Sequence, residues 1–165
     1  MNRVATFEKV SFEQYKTDCE KNYKLSPEDN LYAEWQAIRL PERATDGSAG
    51  YDFFIPRAKY INGQPKVIVT GIRVHIDPGW VLVCAPKSGL GFKYETRLVN
   101  TIGIVDGDYY YSKNEGHILS KIASEASFDL NPGEKFMQGV FLPYGITKDD
   151  HATGHRNGGF GSTGA

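Results

Sequence analysis

From about residue 48 onward, short runs of β-branched and aromatic residues alternate with turn signals, and this pattern restricts the fold more than any other feature. Five such runs are Val67–Thr70, Ile72–Ile76, Trp80–Cys84, Ile118–Ile122 and Phe136–Phe141. Asp77-Pro78-Gly79 and Asn131-Pro132-Gly133 place proline before glycine, the order that type II turns prefer. Short strands at close spacing with turns between them predict an all-β sandwich or barrel.

The first 40 residues have a different pattern, which predicts helices. Ser11 followed by Gln14 fits a capping box. One face of a short helix then contains Phe12, Tyr15, Cys19 and Tyr23. A second helical stretch is predicted with Pro27 in its first turn, one apolar face through Leu31, Trp35 and Ile38, and its end at Pro41. The sequence therefore predicts a helical N-terminal extension over 1–40, a β core over 41–146, and a flexible linker and tail over 147–165.

Charge and cysteine content narrow the function classes. The chain has 165 residues, enough for one domain with a sizeable core, and its formal net charge is −1. No long basic run is present, so binding to a nucleic acid polymer or to an anionic membrane is not expected. Two distant cysteines without a CxxC motif favour reduced thiols and a cytoplasmic location. The first residues have no apolar stretch of signal-peptide length, so no signal peptide is expected. The sequence also has no run of about 18 apolar residues, so no transmembrane helix is expected.

Two stretches in the first half of the β region carry candidate chemistry. In AGYDFF, Asp52 lies within an apolar run and is either a site carboxylate or a surface residue at a strand edge. In PKSGLGFK, Gly89 and Gly91 permit close approach of the backbone to a ligand, while Lys87 and Ser88 offer a charge and a hydroxyl. The same stretch could be an ordinary glycine loop, and it is not a Walker A loop.

Two further stretches follow in the second half. NTIGIVDGDYYY predicts a hairpin around Asp106-Gly107-Asp108, with tyrosines that could line a flat ligand. Asp106 is either a turn residue or a general base held beside an apolar strand end. In GEKFMQG, Gln138 is a polar residue in a strand-like run, and its amide faces either a ligand or solvent.

The tail RNGGFGSTGA, residues 156–165, has two interpretations. Its glycines are typical of a disordered end. Arginine, an aromatic ring and a Ser-Thr pair among those glycines also suit a phosphorylated, aromatic ligand. In the nearby HATGH stretch, His151 and His155 have a zinc-ligand spacing, but Gly154 and the polar surroundings disfavour the helix that such a site needs.

In order along the chain, AGYD, PKSG, NxxGxVDxDY, GEKFMQ and RNGGFGSTG resemble the five ordered motifs of the homotrimeric dUTPase family. The resemblance spans about residues 40–165. It implies a distorted jelly-roll-like β-barrel or sandwich and a homotrimer with active sites shared between subunits. It also implies Mg²⁺-dependent hydrolysis of dUTP to dUMP and pyrophosphate, which keeps uracil out of DNA and supplies dUMP for thymidylate synthesis.

The same resemblance assigns roles to individual residues. Asp106 is expected to activate the water that attacks the α-phosphorus, and Asp52 is expected to act on the metal through water. The groups expected to contact the base and sugar are Asn100, Gly103, Ile104, Val105, Tyr109 and Phe160, the last by stacking on uracil. The groups expected to hold phosphates are Lys87, Ser88, Gly89, Gln138, Arg156, Gly161, Ser162 and Thr163. The tail would then be a strap (residues 156–165) that closes over the site.

This sequence departs from the family pattern at three places. Lys87 stands where arginine is usual, which replaces a bidentate fork by a point charge. Tyr111 occupies a glycine position, and Tyr111–Glu115 resemble an insertion in the hairpin. The helical first 40 residues exceed the family's minimal form.

Two other functions remain as alternatives at this point. A deaminase of the same fold superfamily would act on dCTP, but that branch lacks the phenylalanine-bearing strap. A nucleotide-responsive regulatory protein would bind a partner through the N-terminal helices or the insertion, and could also be an enzyme.

Overall fold

The computed structural model describes residues 1–154, and these are mostly β-structure. The strands are β1 (Ala5–Lys9), β2 (Glu42–Arg43), β3 (Tyr51–Phe54), β4 (Lys59–Asn62), β5 (Lys66–Val69), β6 (Ile72–Ile76), β7 (Trp80–Pro86), β8 (Arg97–Leu98), β9 (Gly103–Val105), β10 (Leu119–Ala123), β11 (Ser127–Leu130) and β12 (Lys135–Pro143). The helices are α1 (Phe12–Asn22), α2 (Leu31–Ala37), α3 (Ser88–Tyr94) and a 3₁₀ helix (Gly107–Tyr111). The mostly β prediction is therefore confirmed.

All strand pairs within the described residues are antiparallel. The largest sheet has five strands in the order β2-β3-β12-β7-β9. Smaller sheets are β5-β10-β8, β11-β4 and β1-β6. Within residues 1–154 these hydrogen-bonded sheets are separate, so closure into one barrel is not confirmed. The strands still share one hydrophobic core.

Side-chain alternation explains how the strands face that core. In β6, Ile72, Val74 and Ile76 are buried, while the two residues between them are only half-buried. A period of two places alternate side chains on one face of a strand, so this pattern marks a sheet packed on the core by one face. Gly79 and Gly133 have φ of 86° and 84°, as the central glycine of a type II turn requires.

The N-terminal region corrects part of the helical prediction. Residues 5–9 are not helical but form β1, which pairs with β6. Their sequence ATFEK is too short for a clear period, and the partner strand decides the conformation. Helix α1 begins as predicted, with the Ser11 hydroxyl accepting from the Gln14 N–H. Helix α2 begins later than predicted, because the Asn30 side chain caps the Ala33 N–H.

Helix α1 also packs on the body of the protein. Tyr15 and Cys19 are fully buried in the core, and Asp18 lies beside them on the same face. Within residues 1–154, no helix combines the length and the apolar character needed to span a bilayer. The domain boundaries at residues 40 and 146 stay predictions.

Candidate active site

A charged cluster forms where three neighbouring strands of the largest sheet run side by side. Asp52 on β3 lies opposite Gln138 on β12, and Gln138 lies opposite Ala85 on β7. Lys87 directly follows β7, and its Nζ lies 2.6 Å from Asp52 Oδ1. Lys135 at the start of β12 places its Nζ 2.7 Å from Asp52 Oδ2. The sheet register therefore gathers residues from three of the sequence motifs.

The carboxylate at the centre of this cluster is buried, with only 2% of Asp52 exposed. Burial alone raises the pKa of Asp52, but hydrogen bonds from Lys135 and Lys87 outweigh it and hold this pKa below its usual value. Asp52 is therefore ionised at neutral pH, with one ammonium group on each oxygen. The interpretation of Asp52 as an exposed strand-edge residue is wrong.

Lys135 was not identified from the sequence. A β-bulge between Lys135 and Met137 shifts the register of β12 against β3. An irregularity of this kind leaves no signature in a single sequence, because it depends on the partner strand. The available signal was only the position of Lys135 three residues before Gln138.

The PKSGLGFK stretch is not a glycine loop. Ser88–Tyr94 form the short helix α3, with Lys87 in the capping position. The Lys87 side chain, which has donors only, cannot cap the helix N–H groups and instead donates to Asp52, while its backbone N–H donates to Phe136 O at 3.1 Å. Ser88 and Gly89 are exposed beside a recess of about 320 Å³. Two of the predicted phosphate-binding residues, Lys87 and Ser88, therefore line an open space next to the charged cluster.

Gln138 is half-buried and does not simply face solvent. Its Nε2 donates to Pro86 O at 3.5 Å, a long hydrogen bond. Its Oε1 lies against Gly50, where an added Cβ would come within 3.1 Å of that oxygen. The amide is thus held between β3 and β7 beside the Asp52 cluster.

Asp106 follows β9 and occupies the capping position of the 3₁₀ helix. Its carbonyl accepts from the Tyr109 N–H at 3.2 Å, so residues 106–109 begin a helical turn and not the predicted hairpin turn. The consecutive tyrosines continue this helix, in which Tyr109 is buried and Tyr111 is largely exposed. Asp106 is half-buried at the end of the edge strand of the largest sheet.

The base-reading residues predicted from the resemblance lie just before Asp106. Asn100 is exposed in a tight turn in which the Thr101 N–H donates to Leu98 O at 3.0 Å. Gly103 and Ile104 lie on β9, whose register places Gly103 opposite Cys84. A Cβ at Gly103 would come within 3.2 Å of the Cys84 Cβ, so glycine permits this close approach.

Tyr109 is largely buried, with 6% of its surface exposed. Its hydroxyl donates to His117 O at 2.7 Å and accepts from Asn114 Nδ2 at 2.8 Å. The Ser112 hydroxyl donates to Tyr109 O at 2.6 Å. These partners fix the ring and were not identified from the sequence: Ser112 and Asn114 belong to the segment interpreted as an insertion, and His117 follows it.

The two groups of site residues lie far apart within one chain. Val105 pairs with Leu82, near the beginning of β7, whereas Lys87 follows the end of that strand. Five residues of extended strand separate Leu82 from Lys87, roughly 16 Å. Asp106 and the charged cluster are therefore not brought together by the fold of a single chain.

Several predicted site residues lie outside the described part of the chain. These are Phe160, Arg156, Gly161, Ser162 and Thr163, and His155 of the HATGH stretch lies outside it as well. Within residues 1–154, no three His, Cys, Asp or Glu side chains cluster as a metal site.

Comparison with known proteins places this geometry in a family. A sequence model described as dUTPase matches residues 36–164. The deoxyuridine 5'-triphosphate nucleotidohydrolase of Psychromonas ingrahamii is 40% identical over 136 residues, covering 76% of this chain and 87% of that protein. The enzyme of the same name from Lactococcus lactis is 35% identical over 134 residues, covering 78% and 89%.

A solved structure has the same fold. The crystal structure of dUTPase from Streptococcus mutans aligns with a TM-score of 0.65 and 27% identity, covering 86% of this chain and 98% of that one. The motifs, the sheet that aligns them and these matches over most of the chain lead to one conclusion: this chain belongs to the dUTPase family.

Proposed function

We propose that this chain hydrolyses dUTP to dUMP and pyrophosphate, with Asp106 as the base and the Asp52 cluster at the phosphate side. The observation that carries the proposal is the buried, ionised Asp52 held by two lysines beside the exposed Ser88 and Gly89. A triphosphate is the ligand for which paired ammonium groups, a hydroxyl and an open glycine backbone are suited.

In the proposed reaction, Asp106 accepts a proton from a water molecule that attacks the α-phosphorus. The new bond joins the water oxygen to this phosphorus, and the bond that breaks joins it to the bridging oxygen of pyrophosphate. A carboxylate beside an apolar strand end suits this role, because neighbouring apolar groups limit competing water. Val105, directly before Asp106, is buried and supplies such a wall.

The described residues fit Mg²⁺ only in an indirect role. Both oxygens of Asp52 already contact ammonium groups, so direct coordination would displace a lysine. Mg²⁺ commonly keeps several waters and takes its other ligands from substrate phosphates. Asp52 would orient such waters, and Gln138 would add an amide on the same side. When bound, the ion would neutralise charge on the leaving pyrophosphate.

The nucleoside would contact the segment from Asn100 to Tyr109. The Asn100 amide and the backbone of Gly103, Ile104 and Val105 would read the uracil edge, leaving no room for a 5-methyl group. Tyr109 would lie under the deoxyribose, where a 2′-hydroxyl would collide with its ring. Two hydrogen bonds fix the Tyr109 hydroxyl. They support this role, because the ring can exclude a 2′-hydroxyl only if it does not move aside.

We further propose a homotrimer in which each site combines two or more chains. The separation between Asp106 and Lys87 along β7 supports this, because one chain alone leaves the site incomplete. Large apolar side chains also remain exposed near both halves: Phe92 in α3 is 94% exposed, and Ile102 and Ile104, shortly before Asp106, are 45% and 53% exposed. In the proposed trimer, neighbouring subunits would cover these side chains.

The remaining proposals rest on the sequence. The strap residues Phe160 and Arg156 would stack on uracil and hold the γ-phosphate, with Gly161, Ser162 and Thr163 as further phosphate contacts. A jelly-roll arrangement of the sheets and a helical extension outside the family core complete the proposed architecture. A cytoplasmic location agrees with the two buried cysteines, which are free thiols.

A pyrophosphate-release assay across the four dNTPs and UTP, with and without Mg²⁺, tests the function. We expect dUTP to react at least about tenfold faster than each other nucleotide. Ammonia release from dCTP would instead favour a deaminase. Light scattering should give about three times the chain mass of 18.4 kDa, and a fully active monomer would contradict the shared site.

A further inference from the structure

A buried histidine joins the N-terminal helix to the segment that contains Tyr109. His117 is fully buried, and its Nε2 accepts from the Gly71 N–H at 2.8 Å. Because a backbone N–H can only donate, Nε2 carries no proton and the ring proton is on Nδ1. Nδ1 lies 2.6 Å from Asp18 Oδ2 and therefore donates to it. Both ring nitrogens are thus fixed by partners that lie far away in the sequence.

The partner carboxylate belongs to the buried face of α1. Asp18 is 7% exposed and also accepts from Gln14 Nε2 at 2.7 Å. Burial raises the pKa of Asp18, but hydrogen bonds from His117 and Gln14 outweigh it and lower this pKa overall. An ionised acceptor strengthens the hydrogen bond from a neutral donor, so the contact is a firm one.

The other side of His117 holds Tyr109. The carbonyl of His117 accepts the Tyr109 hydroxyl, and Asn114 bridges the same two groups. Gly116, with φ of 70°, packs so tightly that an added Cβ would lie 2.7 Å from Tyr110 Cα and 2.8 Å from Tyr109 O. Since there is no free space here, a shift of His117 displaces the 3₁₀ helix.

A second contact fixes the same segment to the beginning of α1. The Glu115 carboxylate accepts from the Ser11 N–H at 2.8 Å and from the Ser11 hydroxyl at 2.6 Å. Ser11 caps α1, and Asp18 lies seven residues further on, roughly 10 Å along the helix axis. Helix α1 therefore holds the segment 115–117 at two separate points.

We propose that Asp18 and His117 are positioning residues through which helix α1 fixes Tyr109 against the substrate sugar, so that this pair sets the preference for deoxyribose over ribose. This inference rests on the proposed function, because it needs Tyr109 at the sugar. Neither residue touches substrate in this scheme. Their effect is to prevent the Tyr109 ring from yielding to a 2′-hydroxyl.

The test compares Asp18→Asn with wild type and with Tyr23→Phe. Asp18→Asn keeps the shape of the side chain but replaces one acceptor oxygen by a donor. Tyr23→Phe is the matched control: it removes the acceptor for the Val69 N–H, at 2.7 Å, just beyond the end of α1 and away from Tyr109. His117→Gln provides a second variant, since glutamine also carries one donor and one acceptor.

The measurement is the ratio of kcat/KM for dUTP to kcat/KM for UTP, together with the melting temperature. We expect Asp18→Asn to lower this ratio at least about tenfold, mainly by improving UTP, in line with the effect of small misplacements. Tyr23→Phe should keep the ratio within about twofold even where its melting temperature falls equally. His117→Gln should give a ratio between wild type and Asp18→Asn.

The outcomes distinguish failure of the proposed function from failure of the positioning role. If the wild-type protein does not hydrolyse dUTP, both the proposed function and the positioning role are wrong. Active wild type with an unchanged ratio in Asp18→Asn overturns the positioning role alone. The pair itself is visible by proton NMR as a slowly exchanging imidazole N–H, which should disappear in Asp18→Asn; its absence from wild type would also overturn the proposal.

Discussion

Asp52 and Asp18 are both buried aspartates whose pKa values lie below the usual range, yet their partners differ in kind. Asp52 is held by the ammonium groups of Lys87 and Lys135, with 26% and 44% of those side chains exposed. Asp18 is held by the neutral donors of the fully buried His117 and the half-buried Gln14. The two aspartates therefore differ in their partners: partly exposed cations hold Asp52, and neutral donors hold Asp18.

The difference indicates what each region does with a ligand. Mobile ammonium groups at a surface can exchange a carboxylate for phosphate oxygens with little rearrangement, which suits binding of a triphosphate. The network of Asp18 and His117, in which both ring nitrogens of His117 are paired, resists displacement, which suits a steric filter. In the proposed scheme, polar groups would bind substrate in one region and align it in the other.

The largest effect is expected at Asp106, the proposed base. Asp106→Asn keeps the size of the side chain but removes its basicity. Turnover should fall at least about 100-fold with dUTP still bound, because general-base catalysis contributes roughly 10²–10⁴-fold. Single-turnover kinetics and dUTP titration measure the two quantities. Near-normal turnover in Asp106→Asn would show that Asp106 is not the base.

The next effect distinguishes the two buried aspartates directly. Asp52→Asn leaves Lys87 and Lys135 close together without their counter-charge, and removes the group proposed to orient metal-bound water. Activity should fall about 10–100-fold, the range for groups that act on a metal through another ligand, with a raised Mg²⁺ requirement. Magnesium titration of activity is the measurement. A loss of sugar preference instead would show that the two regions are not separate.

A smaller effect is expected from the hydroxyl that joins Tyr109 to His117. Tyr109→Phe keeps the ring but leaves the buried His117 carbonyl and the half-buried Asn114 amide short of a hydrogen bond, which costs about 1–3 kcal/mol of folding stability. The melting temperature should fall by about 2–4 °C per kcal/mol, and dUTP turnover by less than about tenfold. Calorimetry and steady-state kinetics test this. An unchanged melting temperature would contradict the hydrogen-bond network around Tyr109.

The smallest effect is a pH dependence that both aspartates share. A carboxyl group with a lowered pKa in the folded state contributes stability above its ordinary value, near about pH 4, and loses it as the pH falls through the folded value. Asp52→Asn and Asp18→Asn should therefore each reduce the loss of melting temperature below about pH 4. A slope equal to that of wild type in either variant would refute the ionised state of that carboxylate.

Much of the β core was predictable because its strands are local patterns. Runs such as Ile72–Ile76 alternate cleanly, and the turns ending at Gly79 and Gly133 follow from the conformation of proline and glycine. Strand β1 was not predictable, since its conformation depends on pairing with β6. The same holds for Lys135, whose position depends on a bulge.

The charged cluster was predicted in part, because Asp52, Lys87 and Gln138 each lie in a distinctive motif. The network around Tyr109 was not predicted. Asp18 and His117 are 99 positions apart, and no local signal connects a helical aspartate to a histidine at a strand end. The hairpin predicted at Asp106 failed for a related reason: an Asp-Gly pair favours a tight turn, but the packing of the following tyrosines selects a 3₁₀ helix.

Contacts between α1 and residues 115–117 also determine when the N-terminus can finish folding during synthesis. Ser11 and Asp18 leave the ribosome first, but their partners Glu115 and His117 are 104 and 99 positions later. At about 5–20 residues per second, this delay is roughly 5–20 s. Helix α2 and strand β5, which pack against α1, are synthesised well before those partners. The nascent chain can therefore cover part of the apolar face of α1 early, but the two contacts that fix α1 to residues 115–117 form only near the end of synthesis.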